Sequence, residues 1–381
     1  MNREIAIVQR YIPHYRKPFF EKLRSRLSAL GISLELIYGQ PDKFQALKGD
    51  GVNLDWGKKV KSHHWYIGDK VLTWQSASNF LKGKDLIVVE QANSLLLNYL
   101  LQMRYLLGGT PLAFWGHGRN FQATKGDLLS ERVKALLATR VYWWFAYNDL
   151  SKRHIEALGF NRSCITSVNN AIDVGEIKRL NDSLTDEDIS VFKSKIGLVG
   201  RNTCLYIGGM YPEKRLPFLL EAAEMIRAEV PDFELILAGS GVDAPYVRQI
   251  SSRYDWMHYV GPVYGKTKVL CFKVSRLLLM PGLVGLSVLD SFALATPLVT
   301  TANALHSPEI AYLEPNVNGV CVYGTGVRDY AEAVAELLET TCKYERLVKG
   351  CLKANEKYTI EKMVSRFADG VVAALSANEK K

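Results

Sequence analysis

The six cysteines, Cys164, Cys204, Cys271, Cys321, Cys342 and Cys351, include no CxxC pair. Their scatter matches neither a zinc-ligand spacing nor a disulfide framework, so reduced and mostly buried thiols are expected. Near the apolar stretch MPGLVGLSVLDSFALATPLV, residues 280–299, the longest uncharged segment runs only from 277 to 289. A bilayer needs about 20 residues in a helix, and this segment also holds a proline and two glycines, so an anchor is excluded there. The opening MNREIAIVQR lacks the apolar core of a secretory leader, and a cytoplasmic protein is expected. No nucleic-acid-binding motif appears, and the basic residues are dispersed rather than clustered, which argues against a nucleic-acid partner. The pair His63-His64 has no further ligand candidates nearby, so no metal site is expected.

What is present is ordinary globular material in an amount that suits two domains. The 381 residues are 48% apolar and 23% charged. The net charge of +9 is uneven: residues 1–190 carry 26 Lys and Arg against 19 Asp and Glu, and residues 191–381 carry 22 against 20. The basic first half points to an anionic partner such as a phosphorylated substrate or a phospholipid surface.

Short apolar runs alternate with helical patterns, and the alternation occurs twice. EIAIVQ (4–9), SLELIYG (33–39), DLIVVE (85–90), PLAFWG (111–116) and YWWFAYN (142–148) read as strands, separated by helices such as 18–30, 94–107 and 128–138. After the polar segment NDSLTDEDIS (181–190) the pattern restarts with TCLYIGG (203–209), FELILAG (233–239), HYVGPV (258–263), RLLLMP (276–281) and PLVTT (297–301). Helices 216–229, 266–274 and 286–295 lie between them, and 327–377 reads as helical. Strands and helices alternating in this way predict parallel sheets with helices on both faces, in two α/β domains. Such sheets bind ligands at the carboxyl ends of their strands.

Three strand ends carry candidate chemistry. In the stretch 280–299, Gly282 and Gly285 precede a helix expected to begin near Leu286. Glycine admits a ligand close to the backbone, and the unpaired N–H groups of a helix N-terminus suit a phosphate. Asp290, about one turn into that helix, can aim a carboxylate at a sugar hydroxyl. In LYIGGMYPEKRLPFLLEA (205–222), the turn Gly208-Gly209 is followed by Lys214 and Arg215, two cations able to neutralise a diphosphate. Neither this turn nor GSGVDA (239–244) completes a dinucleotide fingerprint. In FWGHGRNF (114–121), His117 sits between two glycines at a strand end, exposed to whatever occupies the site.

In this order the three stretches resemble the retaining GT-B glycosyltransferases of family 4, with SVNNAID (167–173) similar to the segment closing their first domain, Asn170 included. The resemblance implies two Rossmann-like domains facing an interdomain cleft. The first is an acceptor-binding domain, 1–190, completed by a C-terminal helix, 361–381. The second is a nucleotide-sugar donor domain, 191–360. It implies further that Lys214 binds the diphosphate, that His117 approaches the donor sugar, and that PGLVGLSVLDSFALATPLVTT (281–301) is the family's two-acid motif. In that motif Asp290 replaces the second glutamate, at the donor ribose, and Gly282 occupies the place of the first. Gly209 stands where the family has an arginine, and Arg215 is the candidate substitute. The donor contacts expected are Gly208, Gly209, Lys214, Arg215, Gly282, Gly285, Leu286 and Asp290, with His117 and Asp290 as catalytic residues.

The loop RYIPHYRKPFFEKL (10–23) follows the first strand, and His14, Tyr15 and Arg16 form an expected basic, aromatic acceptor lip. The stretch 128–145, with Arg132, Lys134 and Arg140 among apolar residues, is a candidate for contact with an anionic membrane surface. The reading is hexose transfer from a nucleoside diphosphate sugar to a saccharide, lipid-linked in enzymes of this type, with no cofactor and no metal. Two rivals stand beside it: an epimerase on the same architecture, and a non-catalytic nucleotide-sugar-binding partner suggested by Gly209 and Gly282.

Overall fold

The computed structural model describes residues 3–46, 49–68, 70–118, 135 and 137–378. The chain divides into two units, residues 1–173 with 360–381, and residues 174–359. The seam thus falls after Asp173 rather than near residue 190. Residues 174–190 pack with the second unit because helix Gly175–Asp182 lies against helix Gly265–Lys273.

The strands of the first unit are β1 (Arg3–Gln9), β2 (Ile32–Tyr38), β3 (Lys58–Lys59), β4 (Ser62–Ile67), β5 (Lys70–Gln75), β6 (Leu86–Glu90), β7 (Leu112–Gly116), β8 (Trp143–Ala146) and β9 (Ile165–Ser167). Seven of them form a parallel sheet in the order β3-β2-β1-β6-β7-β8-β9, while β4 and β5 pair separately as an antiparallel hairpin that the apolar pattern did not announce. Central strands read as unbroken apolar runs because both faces are covered, and Ile5, Ala6 and Ile7 are fully buried.

Helix Lys17–Ala29 starts with Pro18 in its first turn and turns Phe19, Phe20, Leu23 and Leu27 inward, at helical spacing. Against it packs the last helix, Ile360–Asn378, whose Phe367 stacks on Phe145 with ring centroids 4.2 Å apart. Trp115 and Phe19 lie 5.1 Å and 5.6 Å from the same ring. The expected continuous helix 327–377 is in fact three, Val327–Glu339, Thr341–Lys357 and Ile360–Asn378. The breaks fall where Thr340 (ψ 89°) and Tyr358 (ψ 62°) leave helical geometry, and they let the final helix join the first unit.

The second unit contains β10 (Asn202–Gly209), β11 (Phe233–Ser240), β12 (Met257–Gly261), β13 (Leu277–Leu279), β14 (Leu298–Thr301) and β15 (Gly319–Val322). They form one parallel sheet in the order β12-β11-β10-β13-β14-β15. This is the doubly wound order, whose direction of winding reverses between β10 and β13, the place where such sheets hold ligands. Helices Leu216–Glu229 and Val327–Glu339 pack on one face over a core that includes Tyr206, Leu235, Leu279 and Tyr330.

The candidate helix 128–138 lies outside the described residues except at 135, 137 and 138.

Replacing the fully buried Phe367 by Ala removes the ring joining the last helix to the first sheet. The expected loss is about 3–5 kcal/mol of first-unit stability. Denaturant unfolding followed by tryptophan fluorescence reads this unit, because Trp256 is the one tryptophan outside it. A midpoint unchanged from the parent would remove the last helix from the first unit's core.

Candidate functional site

In the second unit the carboxyl ends of β10, β13 and β14 bring three turns together. β10 ends in Gly208, whose φ of +151° is one that side-chain-bearing residues rarely adopt, and in the exposed Gly209. The Tyr206 hydroxyl donates to the Gly209 carbonyl at 2.6 Å and holds the turn from below. A Cβ at position 209 would crowd the ring of Tyr211, which would have to shift to admit a side chain there.

A short 3-10 turn, Pro212–Lys214, then precedes helix Leu216–Glu229, with Arg215 in the left-handed conformation between them at φ +55°. Lys214 is 6% exposed, and its ammonium donates to the Leu283 carbonyl at 2.6 Å. Burial pushes its pKa down to about 8, against the opposing attraction of Glu213. Arg215 donates from Nη1 to Thr301 Oγ1 at 3.0 Å and to Asn303 Oδ1 at 2.8 Å, and its guanidinium lies 4.3 Å from the Phe218 ring centroid. The two cations therefore sit on rigid supports rather than on solvated surface.

The turn after β13 faces them. Leu283 N–H donates to the Glu213 carbonyl at 2.8 Å. A Cβ on Gly282 would overlap the carbonyls of Glu213 and Lys214. Glycine at 282 is therefore what lets the two turns meet, and the side chain missing there has no room in this arrangement. Gly285, by contrast, is open, with only Ser307 Oγ near the position of a Cβ, at 3.7 Å. The helix that follows is shorter than expected, Ser287–Ala293. Val288 and Leu289 donate back to Gly285 and Leu286, so the start of that helix is already closed by tight turns.

Asp290 is 8% exposed, and its Oδ2 accepts from Lys268 at 2.7 Å. Its buried Oδ1 has no hydrogen-bond partner among the described residues.

One residue here escaped the sequence reading. His306 Nδ1 accepts from Val284 N–H at 3.2 Å while Nε2 lies 2.7 Å from the Thr301 carbonyl. The neutral tautomer carrying its hydrogen on Nε2 satisfies both. Burial lowers the pKa of this imidazole; the Thr301 carbonyl opposes that shift, and Lys214 adds to it. His306 thus braces the turn after β13 against the end of β14. Nothing in its sequence neighbours marks a brace.

In the first unit, His117 follows β7 and meets the Tyr147 ring edge to face, with centroids 4.0 Å apart. Burial, with the Arg16 charge second, pushes its pKa down to about 3, so the imidazole is neutral at physiological pH. Of the expected lip, His14 is exposed and Tyr15 half-buried, but Arg16 is only 4% exposed. Its guanidinium lies 4.8 Å from the Trp115 ring and 5.4 Å from those of Tyr15 and Tyr147. An arginine can leave the surface in this way because its flat, weakly hydrated cation stacks on aromatic faces. Asn170, whose N–H donates to the Tyr147 carbonyl at 2.7 Å, closes the same corner. Arg119 lies outside the described residues.

Among the described residues no group of three His, Cys, Asp or Glu side chains is placed to hold a metal, and no helix is long and apolar enough to cross a membrane.

Two doubly wound α/β units, with glycine turns and two supported cations at a switch point, define the class: the chain has the GT-B fold of nucleotide-sugar-dependent glycosyltransferases. Residues 201–340, which hold every one of these second-unit features, match the family model described as glycosyl transferases group 1. Solved structures agree with the fold over nearly the whole chain. HepE from Anabaena in complex with UDP superposes with a TM-score of 0.69 at 14% identity, covering 97% of this chain and 99% of that one. The lipopolysaccharide outer core galactosyltransferase WaaB gives 0.65 at 15% identity, over 97% and 99%. Sucrose-phosphate synthase from Thermosynechococcus elongatus gives 0.66 at 12% identity, over 96% and 98%. No curated protein matches the chain in sequence.

A Gly282→Ala variant is expected to lose about 1–3 kcal/mol, the cost of overpacking a closed contact. Gly282→Glu is expected to lose at least as much, because the acid has no space beside the 213–214 carbonyls. Equal stability of parent and Gly282→Ala in chemical denaturation would mean that the two turns can part cheaply.

Proposed function

We propose that this chain transfers a hexose from a nucleoside diphosphate sugar to a saccharide acceptor with retention, as the family 4 enzymes it resembles do. The observation that carries the reading is the buried, positioned Lys214 next to Arg215 at the glycine turn of β10. A cation pair at a switch point is suited to the charge that develops on a departing diphosphate. That HepE is solved with UDP and with UDP-glucose supports a nucleoside diphosphate sugar as donor.

In this proposal the second unit holds the donor and the first unit the acceptor. The acceptor hydroxyl attacks the anomeric carbon on the face from which the diphosphate departs. The bond from that carbon to the diphosphate oxygen breaks, the bond to the acceptor oxygen forms, and the hydroxyl proton passes to a diphosphate oxygen. Lys214 and Arg215 stabilise the leaving group, with the backbone at Gly208, Gly209 and Gly285–Leu286 close to it. Asp290 offers its unpartnered Oδ1 to a ribose hydroxyl. His117, neutral, presents a hydrogen-bonding imidazole to the sugar without adding charge. No metal or cofactor takes part. His14 and Tyr15 contact the acceptor, and Arg16 supports them from below. The acceptor is lipid-linked, which brings the protein to an anionic membrane surface.

The test is UDP binding to the whole protein in the absence of metal, followed by thermal shift and calorimetry. Lys214→Ala is expected to weaken it by about 10–100-fold, the loss of one charge-assisted hydrogen bond. Undiminished affinity in that variant would discard the cradle. The pH dependence has a definite sign. A bound diphosphate favours the ammonium, whose pKa in the unliganded protein is about 8, so affinity is full below that pH and falls as pH rises through it. Binding near pH 8.5 should accordingly take up protons, read as a dependence of the heat on buffer ionisation enthalpy. The uptake should vanish in Lys214→Ala. Donor binding with no turnover over a range of saccharide acceptors would favour the non-catalytic reading.

A further inference from the structure

The hairpin β4–β5 belongs to neither parallel sheet and has no role in the chemistry above. Its base is held in the first unit. Thr73 and Gln75 are 2% and 1% exposed, and Thr73 N–H donates to the Ser94 carbonyl at 2.8 Å. Its distal half is different. Trp65, Tyr66 and Ile67 are consecutive, and at 50%, 40% and 64% exposed they turn both faces of the strand outward. Phe44, 47% exposed, extends the patch from the short helix Lys43–Ala46, its ring 6.1 Å from that of Tyr66.

Burying such residues is what a domain ordinarily gains from, and a contiguous exposed patch marks a surface that meets something apolar. The surrounding charge says what. Residues 58–70 carry four lysines against one aspartate. Lys43 holds its ammonium 4.3 Å from the Tyr66 ring centroid and 4.9 Å from that of Phe44, and Lys61 and Lys70 are exposed. Among the described residues, Asp42 accepts the N–H groups of Phe44 and Gln45, and Asp50 accepts from the Tyr11 hydroxyl.

Tryptophan and tyrosine prefer the headgroup level of a bilayer, an aliphatic side chain prefers the acyl boundary just below, and lysines are drawn to anionic lipid. A protein partner would present a shaped surface with its own polar pairing. This patch is an exposed apolar strand end with Lys43 and Lys70 beside it and Lys61 at the base of the same strand, which fits a fluid, uniformly negative surface better.

We infer that the distal half of β4–β5, with Phe44, is the element by which this chain docks on an anionic lipid bilayer, Trp65 and Ile67 entering the interface and Lys43, Lys61 and Lys70 meeting the headgroups. The inference rests on the membrane-bound acceptor proposed above for its purpose, and on the hairpin alone for its evidence.

The test is flotation of the whole protein with vesicles of phosphatidylcholine, alone or mixed with phosphatidylglycerol. The parent is expected to float with the mixed vesicles and to float less as salt rises from about 0.1 M to about 1 M, where the Debye length shrinks from about 10 Å to about 3 Å. The double variant Trp65→Ser with Ile67→Ser should bind the mixed vesicles at least about tenfold more weakly. The triple variant Lys43→Glu, Lys61→Glu, Lys70→Glu should lose the preference for anionic lipid, and guards against a folding defect in the first. UDP binding, a property of the second unit, is read on each variant and should not change. Failure of the parent to float, or flotation equal in parent and both variants, overturns the inference. So does a concentration-dependent dimer that the double variant abolishes, because the patch would then be covered by a second copy. Loss of UDP binding in Lys214→Ala together with normal flotation leaves docking intact, so the two proposals fail separately.

Discussion

The second unit depends on one close approach, that of the turn after β13 to the turn after β10. Leu283 donates its N–H to the Glu213 carbonyl, its own carbonyl accepts from the Lys214 ammonium, and the neighbouring Gly282 carries no side chain to keep the two backbones apart. Because both turns leave strands flanking the switch point, this contact decides where the positive charge of the site stands. It also explains the coexistence of a glycine at 282 with an ion-paired acid at 290. The first is buried under a neighbouring turn, while the second faces Lys268 from a helix one turn further on.

Around that contact, burial does most of the electrostatic work. Lys214 loses enough hydration that its ammonium is held near the physiological range, and an incoming anion would restore what solvent no longer provides. His306 and His117 are each neutral, for related reasons. His306 is desolvated and faces a lysine, and its two ring nitrogens are fully committed to Val284 and Thr301. His117 is desolvated and near the Arg16 guanidinium, itself held among three aromatic rings. Both units therefore place a cation and a neutral imidazole close together at the ends of their strands. In the first the cation lies against aromatic rings, and in the second it donates to a backbone carbonyl.

Much of the fold was legible because a parallel sheet buried on both faces writes itself as apolar runs. Helix 216–229 and the strands at 4–9 and 233–239 fell within a residue or two of their observed limits. What period and composition could not reveal were elements of mixed exposure. The hairpin β4–β5 has a polar, buried base and an apolar, exposed tip, inverting the usual sign of the pattern, and β15 is four residues of half-buried strand. The seam at 173 was hidden because helices Gly175–Asp182 and Asp186–Ile196 are both rich in charge, and only their contact with helix Gly265–Lys273 assigns them.

The candidate site divides in the same way. The residue types were visible: glycines after β10 and β13, two adjacent cations, one acid inside an apolar helix, a histidine between glycines. Local order along the chain determines these, since strand ends, turns and helix starts are set by neighbours within a few positions. The sequence alone thus determined two alternating α/β halves and the turns that carry their chemistry. Tertiary structure decided that Arg16 is buried rather than on a lip, that Gly282 is a point of contact rather than an empty place, and that His306 is a brace. Each of those outcomes depends on the approach of segments tens of residues apart, where desolvation and backbone contact, not local propensity, set the energy.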